Sequence, residues 1–298
     1  RDVLDLDPDH AASRRALERL YERTARWRDL VTLLRQELDR ANEEEQVGLT
    51  QRLGLLHEQR LEEPAQALDC YEQVLVWEPN HKGAREALER LLERPEQRQR
   101  CARVLEPIYE ERGDWPELVG VLEVQLEELE DPGAQVALLT RIAGLQEDRL
   151  HDPSAAFGSV ARAVAVDPGD AAVREDLARL ARMRDAERDR AAVLERAVEA
   201  AADAPALRAE LLLELARLWD EDVGDVEEAE KAYRRLLAAD PDDPERVLTA
   251  SRALERIHLG QGAHAALAED LERQVALEHD VEEQRRLLVR LADLREEV

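Results

Sequence analysis

Three segments of the 298-residue chain carry small residues and a proline at the same distances from one another. In each segment a Gly or Ala precedes an Ala by 13 residues, and that Ala precedes a proline by 12. The three sets are Gly54, Ala67 and Pro79; Ala143, Ala156 and Pro168; and Ala216, Ala229 and Pro241. Small residues let two helices cross closely, and a proline after the second helix prevents its continuation. The spacing predicts a repeated hairpin of two antiparallel helices.

The composition favours helices along the whole chain. Apolar residues make up 44% of the sequence and aromatic residues only 3%. The apolar content is therefore mainly Ala, Leu and Val, of which Ala and Leu are strong helix formers. Aromatic and β-branched residues, which suit a pleated sheet, are too few to build one. We expect an all-α fold, an α-α superhelix (solenoid) of antiparallel helix hairpins.

A second, looser hairpin lies between the copies of the first. Its large residues recur 88 positions apart, from Tyr21, Trp27, Leu30 and Leu34 to Tyr109, Trp115, Leu118 and Leu122. The full period is therefore a double unit of about 71 to 76 residues, four helices long.

One step of the repeat is longer than the others. Pro79 and Pro168 are 89 residues apart, whereas the neighbouring steps are 71 and 73 residues. Residues 87–92 already match 16–21, and a further helical stretch follows from Pro95. We predict one continuous solenoid with N-terminal repeats at 1–94, an inserted extra helix at 95–114 and C-terminal repeats at 115–298. Residues 81–115 are then expected to form a bend or a phase shift in the array and to divide it into halves.

These small, large, aromatic and proline positions resemble the pattern of the tetratricopeptide repeat (TPR) family, over nearly the whole chain. The version here has one extra residue in the turn between the helices. The resemblance implies a non-catalytic protein–protein interaction scaffold whose first helices line a concave face. Because the motif residues are packing residues, the resemblance does not identify a ligand.

On that resemblance, outward residues of the first helices are the candidates for binding a partner. An arginine stands just before the apolar–small pair in three of four copies. The candidate partner-binding residues are Arg52, Leu55, Glu58, Arg141, Asp148, Glu214, Arg217 and Arg290. The alternative is that each arginine pairs with acidic neighbours on its own or an adjacent helix.

Charge restricts the classes of partner. Lys and Arg number 42 against 69 Asp and Glu, a formal net charge of −27. Such a chain repels phosphate backbones and anionic membranes, so we expect no nucleic acid and no membrane insertion. A protein or peptide partner is expected, and a basic one is favoured. The alternative is that the acidity only keeps a large surface soluble.

The sequence carries no pattern typical of a catalytic, cofactor or metal site. It has no His-Glu-x-x-His pair, no phosphate loop and no Gly-x-Ser-x-Gly elbow. Cys70 and Cys101 are predicted to be small core residues in a reducing compartment, and His57 a packed ring. The four tryptophans occupy apolar repeat positions, so we predict that they pack in the core and do not form an aromatic cage for a ligand. They are Trp27, Trp77, Trp115 and Trp219.

We therefore predict no enzyme but a scaffold that binds peptide segments or partner proteins on its concave face. One alternative is the regulatory or substrate-recruiting arm of a larger enzyme, such as a bacterial signalling kinase. Another is a self-associating structural element. The excess of Arg over Lys suggests a bacterial source. The absence of an initiator Met suggests that the sequence is a piece of a longer chain. The expected location is the cytoplasm.

Overall fold

The computed structural model describes residues 11–297, and every regular element within them is a helix. The sixteen α-helices are α1 (Ala11–Arg23), α2 (Trp27–Leu38), α3 (Glu43–Gln59), α4 (Pro64–Trp77), α5 (Lys82–Leu91), α6 (Pro95–Arg112), α7 (Trp115–Glu127), α8 (Pro132–Asp148), α9 (Pro153–Val166), α10 (Ala171–Met183), α11 (Glu187–Ala200), α12 (Pro205–Arg217), α13 (Val226–Ala239), α14 (Pro244–Gln261), α15 (His264–Leu277) and α16 (Val281–Glu297). A short π-helix, Leu218–Val223, continues α12. The all-α prediction is confirmed, and the first proline turn, at Pro8, lies outside the described residues.

Two compact units divide the chain, Arg1–Leu129 and Glu130–Val298. The described part of the first contains α1 to α7, and that of the second contains α8 to α16. In both units, helices that follow each other in sequence pack as hairpins, such as α3–α4, α6–α7 and α8–α9. The predicted boundaries at 94/95 and 114/115 stay a prediction.

The region of the long repeat step contains α5 and α6. Helix α6 begins at Pro95, where the sequence predicted a helix start, and the proline occupies a first-turn position that needs no N–H partner. It forms a hairpin with α7, while the shorter α5 packs against α4 and α6. Helix α5 therefore lies between the hairpins α3–α4 and α6–α7 without a second helix of its own.

The small residues of the repeat lie at helix crossings, as the spacing predicted. Gly54 is buried, Ala143 is 4% exposed and Ala216 is fully buried. Their counterparts on the second helices, Ala67, Ala156 and Ala229, are all fully buried. Because a larger side chain would separate the two backbones, the close approach depends on these residues.

Each hairpin turn contains one residue in the left-handed backbone conformation. In α3–α4, α8–α9 and α12–α13 these are Glu62, His151 and Gly224, each eight residues after the small residue of the first helix. The next N–H then bonds six residues back, from Glu63 to His57 (2.9 Å), Asp152 to Gln146 (2.8 Å) and Asp225 to Trp219 (2.9 Å). We call these the six-residue hairpins.

The other four hairpins close over one residue fewer. Their left-handed residues are Ala25, Gly113, Asp185 and Gly262. The following N–H bonds five residues back, from Arg26 to Tyr21 (2.8 Å) and likewise in α6–α7, α10–α11 and α14–α15 (3.0 Å each). These five-residue hairpins are the looser copies of the sequence. The predicted extra turn residue is thus confirmed.

One tryptophan does not follow the prediction. Trp77 is the last residue of α4 and is 41% exposed, next to Val76, which is 69% exposed. The prediction that all four tryptophans are core is therefore wrong at Trp77. At the end of a helix the chain turns away, so an apolar repeat position there is left partly uncovered.

Candidate partner-binding face

Two of the candidate arginines already bind carboxylates of the same chain. Arg52 on α3 donates to Glu18 (2.6 Å) and Glu22 (2.9 Å) on α1. Arg290 on α16 donates to Glu255 on α14. The half-buried Arg141 is also engaged within the chain. The alternative reading of these arginines, pairing across adjacent helices, therefore describes Arg52 and Arg290.

The candidate Glu58 joins three helices. Its carboxylate accepts the phenol O–H of Tyr71 on α4 (2.7 Å). The same carboxylate accepts Nε and Nη2 of Arg90 on α5, both at 3.1 Å. Glu58 lies four residues after the small residue Gly54, and the other two copies have a carboxylate at the same position. Glu147 accepts hydrogen bonds from Arg179 on α10, and Asp220 accepts one from Arg256 on α14. Glu58 is thus a joint between successive helices.

The protonation states of the tyrosines and carboxylates preserve these hydrogen bonds between helices near neutral pH. Burial and the bond to Glu58 raise the pKa of Tyr71, and burial together with the nearby Asp220 raises the pKa of Tyr233 to about 12. Both phenols therefore remain donors. The hydrogen bond from Arg179 lowers the pKa of Glu147, which therefore remains an ionised acceptor.

Glu214 is the centre of a buried ionic cluster. It accepts Nε of Arg174 on α10 (3.0 Å) and Nη2 of Arg190 on α11 (2.9 Å). These arginines are only 5% and 8% exposed. The π-helix adds Asp222, 3.5 Å from Nη1 of Arg190. Buried charges must be paired, so Glu214 holds α10, α11 and α12 together, while its half-buried side chain also lines a groove of about 270 Å³.

Three candidates form no ion pair or side-chain hydrogen bond within residues 11–297. Arg217 and Asp148 are exposed, and Leu55 is half-buried. Within residues 11–297, Arg217 forms no ion pair. It therefore has donor groups to offer a ligand without breaking a contact of the fold.

Besides the groove at Glu214, two grooves that first helices line in part contain candidate residues. In the first unit a groove of about 680 Å³ lies beside α1 and α3, and Arg52 lines it together with Arg15 and Glu37. In the second unit a groove of about 400 Å³ lies between α12 and α14, and Arg217 lines it with Arg252 and Tyr233. The first is lined by four arginines and three glutamates, the second by three arginines and two acidic residues. Both linings suit polar peptide groups more than apolar ones.

A buried histidine escaped the sequence analysis. Helix α14 continues to Gln261, and His258 in its last turn is 2% exposed. Its Nδ1 lies 2.5 Å from Oδ2 of Asp270, which is 1% exposed on α15. Burial raises the pKa of Asp270. His57 is likewise a packed ring, 3% exposed, with Nδ1 2.8 Å from Glu63.

The described chain offers little for metal or thiol chemistry. Residues 11–297 contain no group of three or more His, Cys, Asp or Glu side chains placed to hold a metal ion. Burial raises the pKa of Cys70 to about 11 and that of Cys101 to about 12, so both stay thiols at neutral pH. In the same part of the chain no helix has the length and apolar character to cross a membrane.

Solved structures similar to this chain share little sequence with it. A tetratricopeptide repeat protein from Parabacteroides merdae is 14% identical (94% of this chain, 98% of that chain, TM-score 0.30). Yeast Tom70 is 12% identical, over 91% of this chain and 59% of that chain, with a TM-score of 0.34. The repeats of a putative kinesin light chain from Podosopora anserina are 22% identical, over 61% of this chain and 95% of that chain, with a TM-score of 0.33. At these TM-scores the likenesses carry no argument about this chain. No curated protein matches the sequence.

The family profile of the tetratricopeptide repeat matches the chain at residues 13–47, 103–135 and 211–247. The first two segments begin in the five-residue hairpins α1–α2 and α6–α7, and the third in the six-residue hairpin α12–α13. Both kinds of hairpin therefore match the family, including the copies whose sequence is looser. Helix α6 belongs to a matched repeat. Three segments of the chain therefore match the tetratricopeptide repeat, and the hairpins between them close with the same two kinds of turn.

Proposed function

We propose that the chain is a non-catalytic scaffold that binds a peptide segment of a partner protein along its first helices. Tetratricopeptide repeats are generally interaction modules, and repeat arrays present extended surfaces for binding. The observation that carries the proposal is the pair of grooves, each lined by side chains of neighbouring first helices. Arg217 is exposed in one and Arg15 in the other.

The charges suggest how such a peptide is held. The net charge of −27 attracts a basic partner over long range. Each groove itself has one more arginine than acidic residues. Inside the groove, arginines therefore donate to backbone carbonyls or to a carboxylate of the peptide, while its basic residues face the acidic surface around it.

Two reversals of charge test the proposal without disturbing the fold. Arg15→Glu and Arg217→Glu change exposed residues that form no ion pair within the described chain. Arg103→Glu and Arg188→Glu are matched controls, exposed and unpaired but outside both grooves. Partners captured from the native host with the wild-type chain are purified, and their affinities for each variant are measured by calorimetry.

We expect the groove variant to weaken binding by about tenfold or more, equivalent to about 1.4 kcal/mol, and the control variant to leave it unchanged. Association should also slow steeply with added salt, because charge steers the encounter. Equal affinity of the groove variant and the wild type would move the binding surface elsewhere, and the proposal would be withdrawn.

A further inference from the structure

Two grooves of unlike charge lie beside α12. The groove of about 400 Å³ toward α14 has three arginines and two carboxylates in its lining, and we call it the arginine groove. The groove of about 270 Å³ toward α11 has four carboxylates and two arginines, and we call it the acidic groove. Arg217 and Glu221 line both, so the two grooves meet at these residues.

In the arginine groove the guanidinium groups have donors to spare. Arg217 is exposed and forms no ion pair within residues 11–297. Arg252 pairs with Glu278 at 3.5 Å and keeps 58% of its side chain exposed. The carboxylate of Asp220 is bound by Arg256, and its side chain is only 5% exposed. The groove therefore offers positive charge to a ligand.

In the acidic groove one carboxylate is left over. Glu214 binds two buried arginines, Asp222 lies 3.5 Å from one of them, and Glu210 also binds the other. Glu221, by contrast, is exposed and forms no ion pair in the part of the chain that the structure describes. This groove therefore offers negative charge to a ligand.

Arg217 and Glu221 do not pair with each other, although they are four residues apart. Opposite charges at that spacing ordinarily attract each other on an α-helix. Glu221 belongs to the π-helix Leu218–Val223, whose hydrogen bonds join residues five apart, so that a residue four positions on does not complete the turn. Both side chains are therefore left for a ligand, one of each charge.

The spacing of the grooves fits an extended peptide. They lie toward different neighbours of one helix and are thus about 10 Å apart, the diameter of a helix with its side chains. A polyproline II segment has about three residues per turn and rises about 3.1 Å per residue. Side chains three positions apart then lie on one side of the peptide, about 9 Å from each other.

We propose that the partner peptide crosses α12 in an extended conformation, with an acidic side chain in the arginine groove and a basic side chain, three residues away, in the acidic groove. The inference rests on the proposed function and adds the charge pattern that the peptide carries. A uniformly basic segment would place like charge against Arg217 and Arg252, and a uniformly acidic one would meet Glu221. The net charge of −27 alone favours the basic segment, so the two explanations predict different ligands.

The probe is a synthetic peptide, Gly-Arg-Pro-Pro-Glu-Gly, with a neutral label and blocked ends, so that its only charges are the two side chains. Its binding to the whole 298-residue chain is followed by fluorescence anisotropy at about 0.15 M salt, where long-range attraction is screened. We expect saturable binding below about 1 mM, at least about threefold tighter than that of the Arg-Pro-Pro-Arg and Glu-Pro-Pro-Glu analogues. Tightest binding of the doubly basic analogue, or no saturable binding of the probe, would overturn the proposal.

Exchanges of charge locate each side chain of the peptide. Glu221→Lys should weaken the probe by about threefold or more, but not a peptide in which Ala replaces its Arg. Arg252→Glu should weaken the probe to a similar extent, but not a peptide in which Ala replaces its Glu. The matched controls are Glu199→Lys and Arg188→Glu, which change exposed residues of α11 that lie outside both grooves and form no ion pair within residues 11–297. Losses that do not depend on the charges of the peptide would also overturn the proposal.

The partner captured for the proposed function separates the two claims. If its affinity falls with Arg217→Glu and with Glu221→Lys, both claims are supported. If it falls with Arg217→Glu alone, the scaffold function stands and the recognition of two opposite charges is overturned. If neither variant weakens it, the proposed function fails and this inference fails with it.

Discussion

A β-carbon placed on Gly54 of α3 would lie 2.6 Å from Cε1 of Tyr71 on α4. Real β-carbons do not approach other atoms so closely, so the tyrosine ring occupies the space that any other residue would need. The ring cannot move freely because its hydroxyl is bound to Glu58 at 2.7 Å.

Replacement of Gly54 by Ala should therefore destabilise the chain in spite of the better helix propensity of Ala. We expect a loss of about 1–3 kcal/mol in the free energy of unfolding, measured with a chemical denaturant. Gly48→Ala on the same helix is the control, since nothing lies within 4 Å of its β-carbon position. A Gly54→Ala variant as stable as Gly48→Ala would contradict the crossing.

The ionic cluster around Glu214 should be a second point of sensitivity. Glu214→Ala removes a carboxylate from two buried arginines, of which Arg174 keeps Glu210 and Arg190 keeps Glu187 and Asp222. We expect a loss of about 1–3 kcal/mol, and a smaller loss for Glu214→Gln, which still accepts hydrogen bonds. Glu175→Gln, at an exposed position of α10, should change nothing. Equal stability of Glu214→Ala and the wild type would return Glu214 to the list of binding residues.

The turns offer a test of backbone strain alone. Gly224 has φ of 72° and nothing within 4 Å of its β-carbon position. Gly224→Ala should therefore lower the free energy of unfolding by about 1 kcal/mol. This is the cost of the left-handed conformation for Ala, reduced by the smaller conformational entropy of Ala in the unfolded chain. The equivalent His151, with φ of 53°, should respond in the opposite direction, so that His151→Gly stabilises slightly. Thermal denaturation of both variants would show the two signs, and the same sign for both would contradict a common turn.

Acid should break the ion pair between Glu147 and Arg179. The pKa of Glu147 lies below its ordinary value of 4.5 because Arg179 donates to it. A lowered pKa stabilises the folded chain above pH 4.5, and this contribution disappears as pH falls through the lowered value. The free energy of unfolding of the wild type should exceed that of Glu147→Gln by about 0.5–1 kcal/mol at pH 7. Well below pH 4 the two should be equally stable. A difference independent of pH would mean that the pair contributes through shape and not charge.

Local periodicity was enough to predict the hairpins. The distance from Gly54 to Ala67 follows from where two helices cross, and the proline that starts α6 is visible in the sequence. Such features depend on residues fewer than about four helical turns apart. The family resemblance, drawn from the six-residue hairpins, holds for the five-residue ones as well.

The partners of the charged residues could not be predicted in the same way. Arg90 and Glu58 are 32 residues apart, and they meet because α5 lies beside α3 at a particular rotation. Acidic residues are so frequent that the sequence alone does not single out one partner. Asp270 is another example, since its pairing with His258 depends on how α15 packs against α14.

The alternation of turns along the chain has a consequence for how such a protein can lengthen. Five-residue and six-residue closures follow one another without exception, from Ala25 through Glu62, Gly113, His151, Asp185 and Gly224 to Gly262. One residue more or less turns the following helix by about 100° and so moves its apolar stripe off its neighbour. A gene duplication or an engineered deletion that adds or removes one hairpin would put two equal closures side by side. Viable changes in the number of hairpins should therefore come in pairs, whereas a single helix between two hairpins, such as α5, leaves the alternation intact.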